Sequence, residues 1–149
     1  MFVFRITLAK YASSLQASGN PARWNAKDVK MIYTASSRAL ACLENVVHRS
    51  GIGLKEGFRT MVIEIPDGLP ITRINKSSLL PDWHEFINYP YTQKLGNVWV
   101  ERMETAVLQV PSAIIPEEHN YLLNPLHPDF TKIQLVSTEA FSFDPRIKE

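Results

Sequence analysis

Cysteine is almost absent from this chain. Cys42 is the single one in 149 residues, so no disulfide can form within the chain, and without a CxxC pair or a His/Cys cluster no structural metal site is expected. An excess of charge of either sign is missing too. The 16 Lys and Arg against 15 Asp and Glu leave a formal net charge of +1, which argues against a basic nucleic-acid surface and against a polybasic membrane anchor. No stretch reaches the ~18 consecutive apolar residues of a membrane span. At the start, MFVFRITL, Arg5 interrupts the apolar run that a secretory signal would need, so the expected location is the cytoplasm. GxGxxG, Walker, HExxH and GxSxG patterns are also lacking, which removes the usual nucleotide-loop, metalloprotease and serine-nucleophile routes.

What is present is an ordinary globular composition, 45% hydrophobic and 21% charged, enough for one domain over residues 1–149 with a real core. Residues 2–8 alternate like a half-buried strand, as do 59–65, which Pro66-Asp67-Gly68 closes. Residues 29–34 and 106–110 read as further strands, the second ending at Pro111-Ser112, and 132–143 as a last strand region. A helix is expected after Ser36 or Ser37 as N-cap, stopping near Ser50-Gly51, with His48 and Arg49 at its negative end. A second helix is expected over 92–105, with Leu95, Val98, Trp99 and Arg102 on one face and Trp99 in the core. Between residues 69 and 91 Pro70, Pro81 and Pro90 break any long helix, and 82–87 suits a short one. Residues 11–20 and 116–128 read as loops, the latter holding His119, Asn120, Asn124 and His127 without metal-ligand spacing. Strands and helices do not alternate strictly, which points to an α+β fold, a compact mixed sheet with flanking helices.

The most informative stretch runs from Ala22 to His48. Leu40, Leu43, Glu44 and Val47 follow the i, i+3, i+4, i+7 spacing of one helix face, placing Glu44 at the rim of the apolar stripe and Cys42 on the polar side. A carboxylate there loses hydration, which costs several kcal/mol unless it is paired, so it is kept mostly where a cation or a reaction needs it. Arg23 is the local cation. Pairing with His48, four residues on, is the plainer alternative. Ser112, at a strand end, is either a turn serine or a hydroxyl aimed at a ligand.

The chain resembles the RES domain family of bacterial toxins. The resemblance rests on Arg5-Ile6, Arg23-Trp24-Asn25, Ile32-Tyr33-Thr34 with Ser36, and the Ala-rich helix through Leu43-Glu44 to His48. It continues through Val110-Pro111-Ser112, Ile115-Pro116, Asn120-Tyr121-Leu122, Asn124-Pro125 and Asp144-Pro145-Arg146. These blocks run in the family's order over nearly the whole chain. One departure is local: the family usually has two glycines before the Arg of the Arg-Trp pair, where this chain has Pro21-Ala22.

The resemblance implies a fold like that of ADP-ribosyltransferase toxins and a chemistry that consumes NAD as substrate, with no cofactor or metal. Glu44, Arg23 and Tyr33 would form the catalytic set. Glu44 would stabilise the oxocarbenium-like charge as the nicotinamide–ribose bond breaks, Tyr33 would pack on nicotinamide, and Arg23 would neutralise the diphosphate. Ser112 and Asn120 would add substrate contacts. The implied outcome is NAD degradation by hydrolysis or phosphorolysis. The alternatives are mono-ADP-ribosylation of a cellular protein, or a non-catalytic domain that binds NAD or a partner. The implied partner is an Xre-type helix-turn-helix antitoxin bound to a toxin homodimer. Basic residues on or beside the Glu44 helix, such as Arg38 and Arg49, are available to meet an acidic group of such a partner, with solvated surface the plainer alternative for each.

Overall fold

The computed structural model describes residues 1–48 and 57–147. Its strands are β1 (Phe2–Leu8), β2 (Ile32–Ala35), β3 (Phe58–Glu64), β4 (Ile71–Arg73), β5 (Val107–Pro111), β6 (His119–Leu123) and β7 (Gln134–Phe141). Two helices, α1 (Arg38–His48) and α2 (Tyr89–Arg102), accompany them. The strands form one seven-stranded sheet in the order β4-β5-β6-β2-β1-β3-β7. β4 and β5 run parallel and the other neighbours antiparallel, so the architecture is the mixed α+β one expected.

The pairing along this sheet is uneven. β1 and β3 are paired from Phe2↔Glu64 to Leu8↔Phe58, and β2 is paired with β6 along its whole length. β1 and β2, in contrast, meet at the single register pair Phe4↔Ala35. The sheet is therefore split between a β1-β3-β7 half and a β4-β5-β6-β2 half.

Both faces of the sheet are covered. Val107 packs with Val3, Ile32, Ile63 and Leu123 in one cluster, while its neighbour Leu108 joins Trp24, Trp83, Trp99 and Leu122 in another. A third cluster, Ile6, Ala35, Leu40, Ala41 and Phe58, fills the space beneath α1. This explains why the alternation of the first and third strands is less informative than it looks. Val3 is fully buried although it lies opposite Phe2, and Met61, Val62 and Ile63 are buried in succession, as in strands covered on both sides.

Several boundaries differ from the sequence expectation. β2 starts at Ile32 because Asp28 turns the chain with a φ of 69°. α2 starts three residues early, at Tyr89, because Pro90 falls in its first turn, where the missing N–H costs nothing. Met103, in the left-handed conformation, ends it. Residues 82–87 form no helix; a short 3-10 turn at Phe86–Asn88 lies there. β4 was not anticipated, and β6 falls in the stretch read as a loop. Polar residues at the start of β6 hide a central strand whose order comes from pairing with β2 and β5 on either side.

α1 is capped as expected, Leu40 N donating to Ser37 Oγ at 3.0 Å, but its buried stripe is rotated. Leu40 and Ala41 are buried, Cys42 packs against the cluster beneath the helix, and Val47 is 55% exposed. Cys42 is thus not on a polar face. The expected end near Ser50-Gly51, with Arg49, lies outside the described residues.

Candidate active site

The loop before β2 is held in place by α2. Thr92 Oγ1 donates to Arg23 O at 2.6 Å, Gln93 Nε2 to Ala22 O at 2.9 Å, and Ala26 N to Asn97 Oδ1 at 3.1 Å. At Gly96 the helix meets the loop directly, since a Cβ there would lie 1.7 Å from Trp24 O. With Pro21-Ala22 in the place of two glycines, the loop is anchored by these contacts to four positions on one side of the helix, 92, 93, 96 and 97. Trp24 is buried against Trp83, with ring centroids 5.9 Å apart. This turns Arg23 outward. Its guanidinium donates to His84 O at 2.8 Å and lies over the rings of Tyr89, at 4.9 Å, and Trp83, at 5.8 Å.

Tyr33 is fixed from the same loop. Its hydroxyl donates to Asn25 Oδ1 and accepts from Trp24 N at 3.1 Å. Asn25, buried in turn, uses its amide on Asn20 O and Val29 O. Burial pushes the Tyr33 phenol far above its ordinary value, outweighing the opposite pull of the Trp24 bond and of Arg23. At neutral pH it is a neutral aromatic wall and not a base.

Glu44 stands across from it on α1. Its Oε1 accepts from Ser112 Oγ at 3.0 Å, and its Oε2 lies 3.1 Å from His48 Nε2. Ser112 Oγ in turn accepts from Ile114 N at 3.1 Å and Ile115 N at 3.2 Å. With both acceptor positions filled by backbone N–H groups, the hydroxyl's one proton is directed to Glu44. Ser112 is fully buried, so it holds Glu44 from behind and does not face the open space. Glu44 keeps 20% of its side chain exposed. Its partners are thus Ser112 and His48, and no ion pair joins it to Arg23 among the described residues.

These groups converge on a cleft of about 440 Å³ at the split between β1 and β2. Arg23, Tyr33, Glu44 and Asn120 all line it, so the structure brings four of the five candidate residues to one space and puts the fifth, Ser112, behind Glu44. Asn120 donates its amide to Thr34 O at 3.2 Å, tying β6 to β2 at the cleft wall. Among the lining residues that were not singled out as site residues in the sequence are Arg5 on β1 and Asn45 on α1. Asn45 Nδ2 donates to Ile6 O at 3.0 Å, while its Oδ1 is buried without a partner. The signal for Arg5 was present: a charged residue in the middle of an apolar strand. Arg38 is engaged on the surface, with Glu139 at 3.2 Å and over the Phe4 ring at 4.6 Å.

Chemically, the cleft offers a carboxylate in a hydrogen-bonded setting, an aromatic wall, and an arginine held for planar anions. The model for the RES domain matches residues 3–144. The chain belongs to the RES domain family. This RES domain is 40% identical over 127 residues to a protein of Sphingobium sp. (strain YBL2) named Prs ADP-ribosylating toxin, covering 84% of this chain and 79% of that one. It is 35% identical over 153 residues to the Toxin Res of Yersinia enterocolitica, covering 99% of this chain and all of that one. Among solved structures it is similar in fold to one described as the Mycobacterium tuberculosis MbcT-MbcA toxin-antitoxin complex. The TM-score is 0.78 at 17% identity, over 95% of this RES domain and 84% of that chain. None of its described helices is long and apolar enough to cross a membrane.

Proposed function

We propose that this RES domain is the toxin of a toxin-antitoxin pair and that it consumes NAD by breaking the nicotinamide–ribose bond. The observation that carries the reading is Glu44, fixed by Ser112 and His48 at the wall of a cleft that also holds Arg23 and Tyr33. Loss of nicotinamide leaves positive charge on the ribose, and a carboxylate already oriented in a partly dry cleft stabilises that charge with little reorganisation. Glu44 has this role. Arg23, stacked and hydrogen-bonded in advance, presents a fork of donors to the diphosphate. Tyr33, neutral and immobile, forms the flat wall for nicotinamide. Asn120 is a polar contact at the wall, and Ser112 acts through Glu44 as a positioning residue.

Water or phosphate as the acceptor makes the protein an NAD-degrading toxin. A second reading, transfer of ADP-ribose to a protein side chain, is favoured by the relative named an ADP-ribosylating toxin. The partner in either case is an antitoxin of the Xre helix-turn-helix type, bound by a toxin homodimer in the cytoplasm. The fold neighbour, solved as a toxin-antitoxin complex, supports the pairing. The test incubates radiolabelled NAD with the purified chain, with and without phosphate and cell lysate. Free ADP-ribose, its 1-phosphate or labelled protein identifies the acceptor. Intact NAD in every arm refutes the proposal and leaves a binding domain.

A further inference from the structure

Once nicotinamide has left, an acceptor meets the ribose cation, and an acceptor with an O–H bond must give up its proton to some base. Glu44 is poorly placed to take it. Its Oε1 holds the Ser112 hydroxyl and its Oε2 faces His48 Nε2 at 3.1 Å, and a carboxylate that became protonated would lose the charge on which its role depends. The other charged or titratable groups lining the cleft are Arg5 on β1, Arg23 on the loop, Tyr33 on β2, Tyr89 on α2 and His48 on α1. Guanidinium groups have no acceptor to offer, and phenols as a class hold their proton at neutral pH. An imidazole is different, since its charge changes between about pH 5 and 8.

The geometry at His48 suits the task. An ionised carboxylate only accepts hydrogen bonds, so Nε2, which faces Glu44, carries the proton of the neutral ring. The free lone pair is then on Nδ1. Among the described residues the ring's one hydrogen bond is that of Nε2, and the side chain, 55% exposed, lines the cleft and meets solvent. Nδ1 is thus left able to take a proton and to release it to water.

We propose that His48 is the general base of the cleft, taking the proton of an acceptor that is water or a hydroxyl group while Glu44 holds the imidazole in place. The inference rests on the reading of the chain as an NAD-consuming enzyme. The bond between ribose C1′ and the nicotinamide nitrogen breaks with its electron pair going to nicotinamide, and a lone pair of the acceptor oxygen forms the new bond to C1′. The acceptor's proton moves to Nδ1, and the electrons of its O–H bond stay on the oxygen. The ribose is then neutral, and Glu44 faces an imidazolium in place of the cation that it first stabilised. One carboxylate balances both charges in turn.

The test follows radiolabelled NAD at saturation, from about pH 5 to 9, with the wild type and His48→Gln, in buffer alone, with phosphate, with cell lysate and with azide, alongside thermal unfolding. Gln keeps an amide that can reach Glu44 and has no base. Wild-type turnover is expected to fall on the acid side of neutrality. The variant, with a Tm near that of the wild type, is expected to lose that acid decline and to turn NAD over at least about tenfold more slowly, general-base contributions being about 10²–10⁴. Azide, which has no proton to lose, restores its nicotinamide release. Free ADP-ribose in buffer marks water as the acceptor, and labelled protein in lysate marks a hydroxyl. Turnover of His48→Gln within about tenfold of wild type, an acid decline that persists in it, no rescue by azide, or failure of the variant to fold each overturns the proposal and leaves His48 a prop for Glu44. A wild type that yields only the 1-phosphate overturns it as well, because a phosphate dianion attacks without first losing a proton. Intact NAD with the wild type in every arm removes the enzymatic reading itself, whereas a loss confined to His48→Gln leaves that reading standing.

Discussion

Gly96 is where α2 touches the loop that carries Arg23, and replacing it with Ala tests whether that contact places the arginine. The new Cβ would stand 1.7 Å from Trp24 O and 2.8 Å from Trp24 C, where relaxed contacts between carbon atoms begin at about 3.5 Å. Both atoms belong to backbone, so no side-chain rotation relieves the clash and the helix and loop must separate by roughly 2 Å. Overpacking of this kind costs about 1–3 kcal/mol. Separation also strains the bonds from Thr92, Gln93 and Asn97 to the loop, each worth about 0.5–1.5 kcal/mol. Ala returns roughly 1 kcal/mol of helix propensity, leaving a net loss of about 2–6 kcal/mol. For a domain of this size that lowers Tm by roughly 5–20 °C. Thermal unfolding followed by tryptophan fluorescence measures it, with NAD turnover on protein still folded at the assay temperature. Turnover is expected to fall through weaker NAD binding. Gly57→Ala is the control, because a Cβ at Gly57 meets nothing within 4 Å. A Gly96→Ala protein with wild-type Tm and wild-type turnover would refute the assigned role of the helix–loop contact.

Glu44→Gln keeps shape and loses charge, and a drop in NAD turnover of about 10²–10³ is expected; turnover near wild type takes Glu44 out of the mechanism. Ser112→Ala removes the hydroxyl that orients Glu44 and leaves Ile114 N and Ile115 N without their acceptor, so a smaller fall in kcat with a stability loss of about 1–3 kcal/mol should follow. A covalent adduct on Ser112, detected by mass spectrometry, would instead make it a nucleophile. Arg23→Ala should raise the Kd for NAD at least as much as it lowers kcat, and unchanged affinity would contradict a phosphate role. For Tyr33 the prediction is one of pH. Burial holds its folded-state pKa above the ordinary 10.0, so above pH 10 the unfolded chain loses a proton that the native phenol retains, and native stability is lost as pH rises. Tyr33→Phe should be less stable at pH 7, having lost the bonds to Asn25 and Trp24, yet lose less further stability between pH 9 and 11. Equal alkaline slopes in chemical denaturation would show that Tyr33 does not contribute.

How far the sequence reveals this depends on whether a residue's task is local. The first and third strands, the Ser37 cap and Trp99 in the core follow from patterns within a few residues. The rotation of α1 does not, because the stripe that is buried depends on Phe58 and Phe143, which reach the helix from β3 and from beyond β7. β6 escapes for a related reason: its first residues are polar, and it becomes a strand by being paired on both edges. At the site, Arg23, Tyr33, Glu44, Ser112 and Asn120 were legible as a family pattern, but their geometry was not. Ser112 and Glu44 are 68 positions apart and hydrogen-bonded, a contact that no spacing rule can show. Arg5 and Asn45 were passed over because an arginine in a strand and an asparagine on a helix have many uses. What sets them apart is their place in the fold: both line the cleft, and among the described residues Asn45 Oδ1 is buried without a hydrogen-bond partner.

The split sheet bears on how the protein can admit a ligand. The two halves are not consecutive pieces of chain: the polypeptide passes from one to the other after β1, after β2, after β3 and again after β6. The halves are stitched together by these passages, with a single register pair, Phe4↔Ala35, spanning the seam itself. A ligand can therefore sit at the seam without displacing a strand from an established ladder. For the same reason the halves cannot swing apart on one hinge as two lobes do, since every passage would have to bend together. Recognition must then depend on side chains at the seam's rim, where Arg23 and Glu44 belong to different stitches of one fabric.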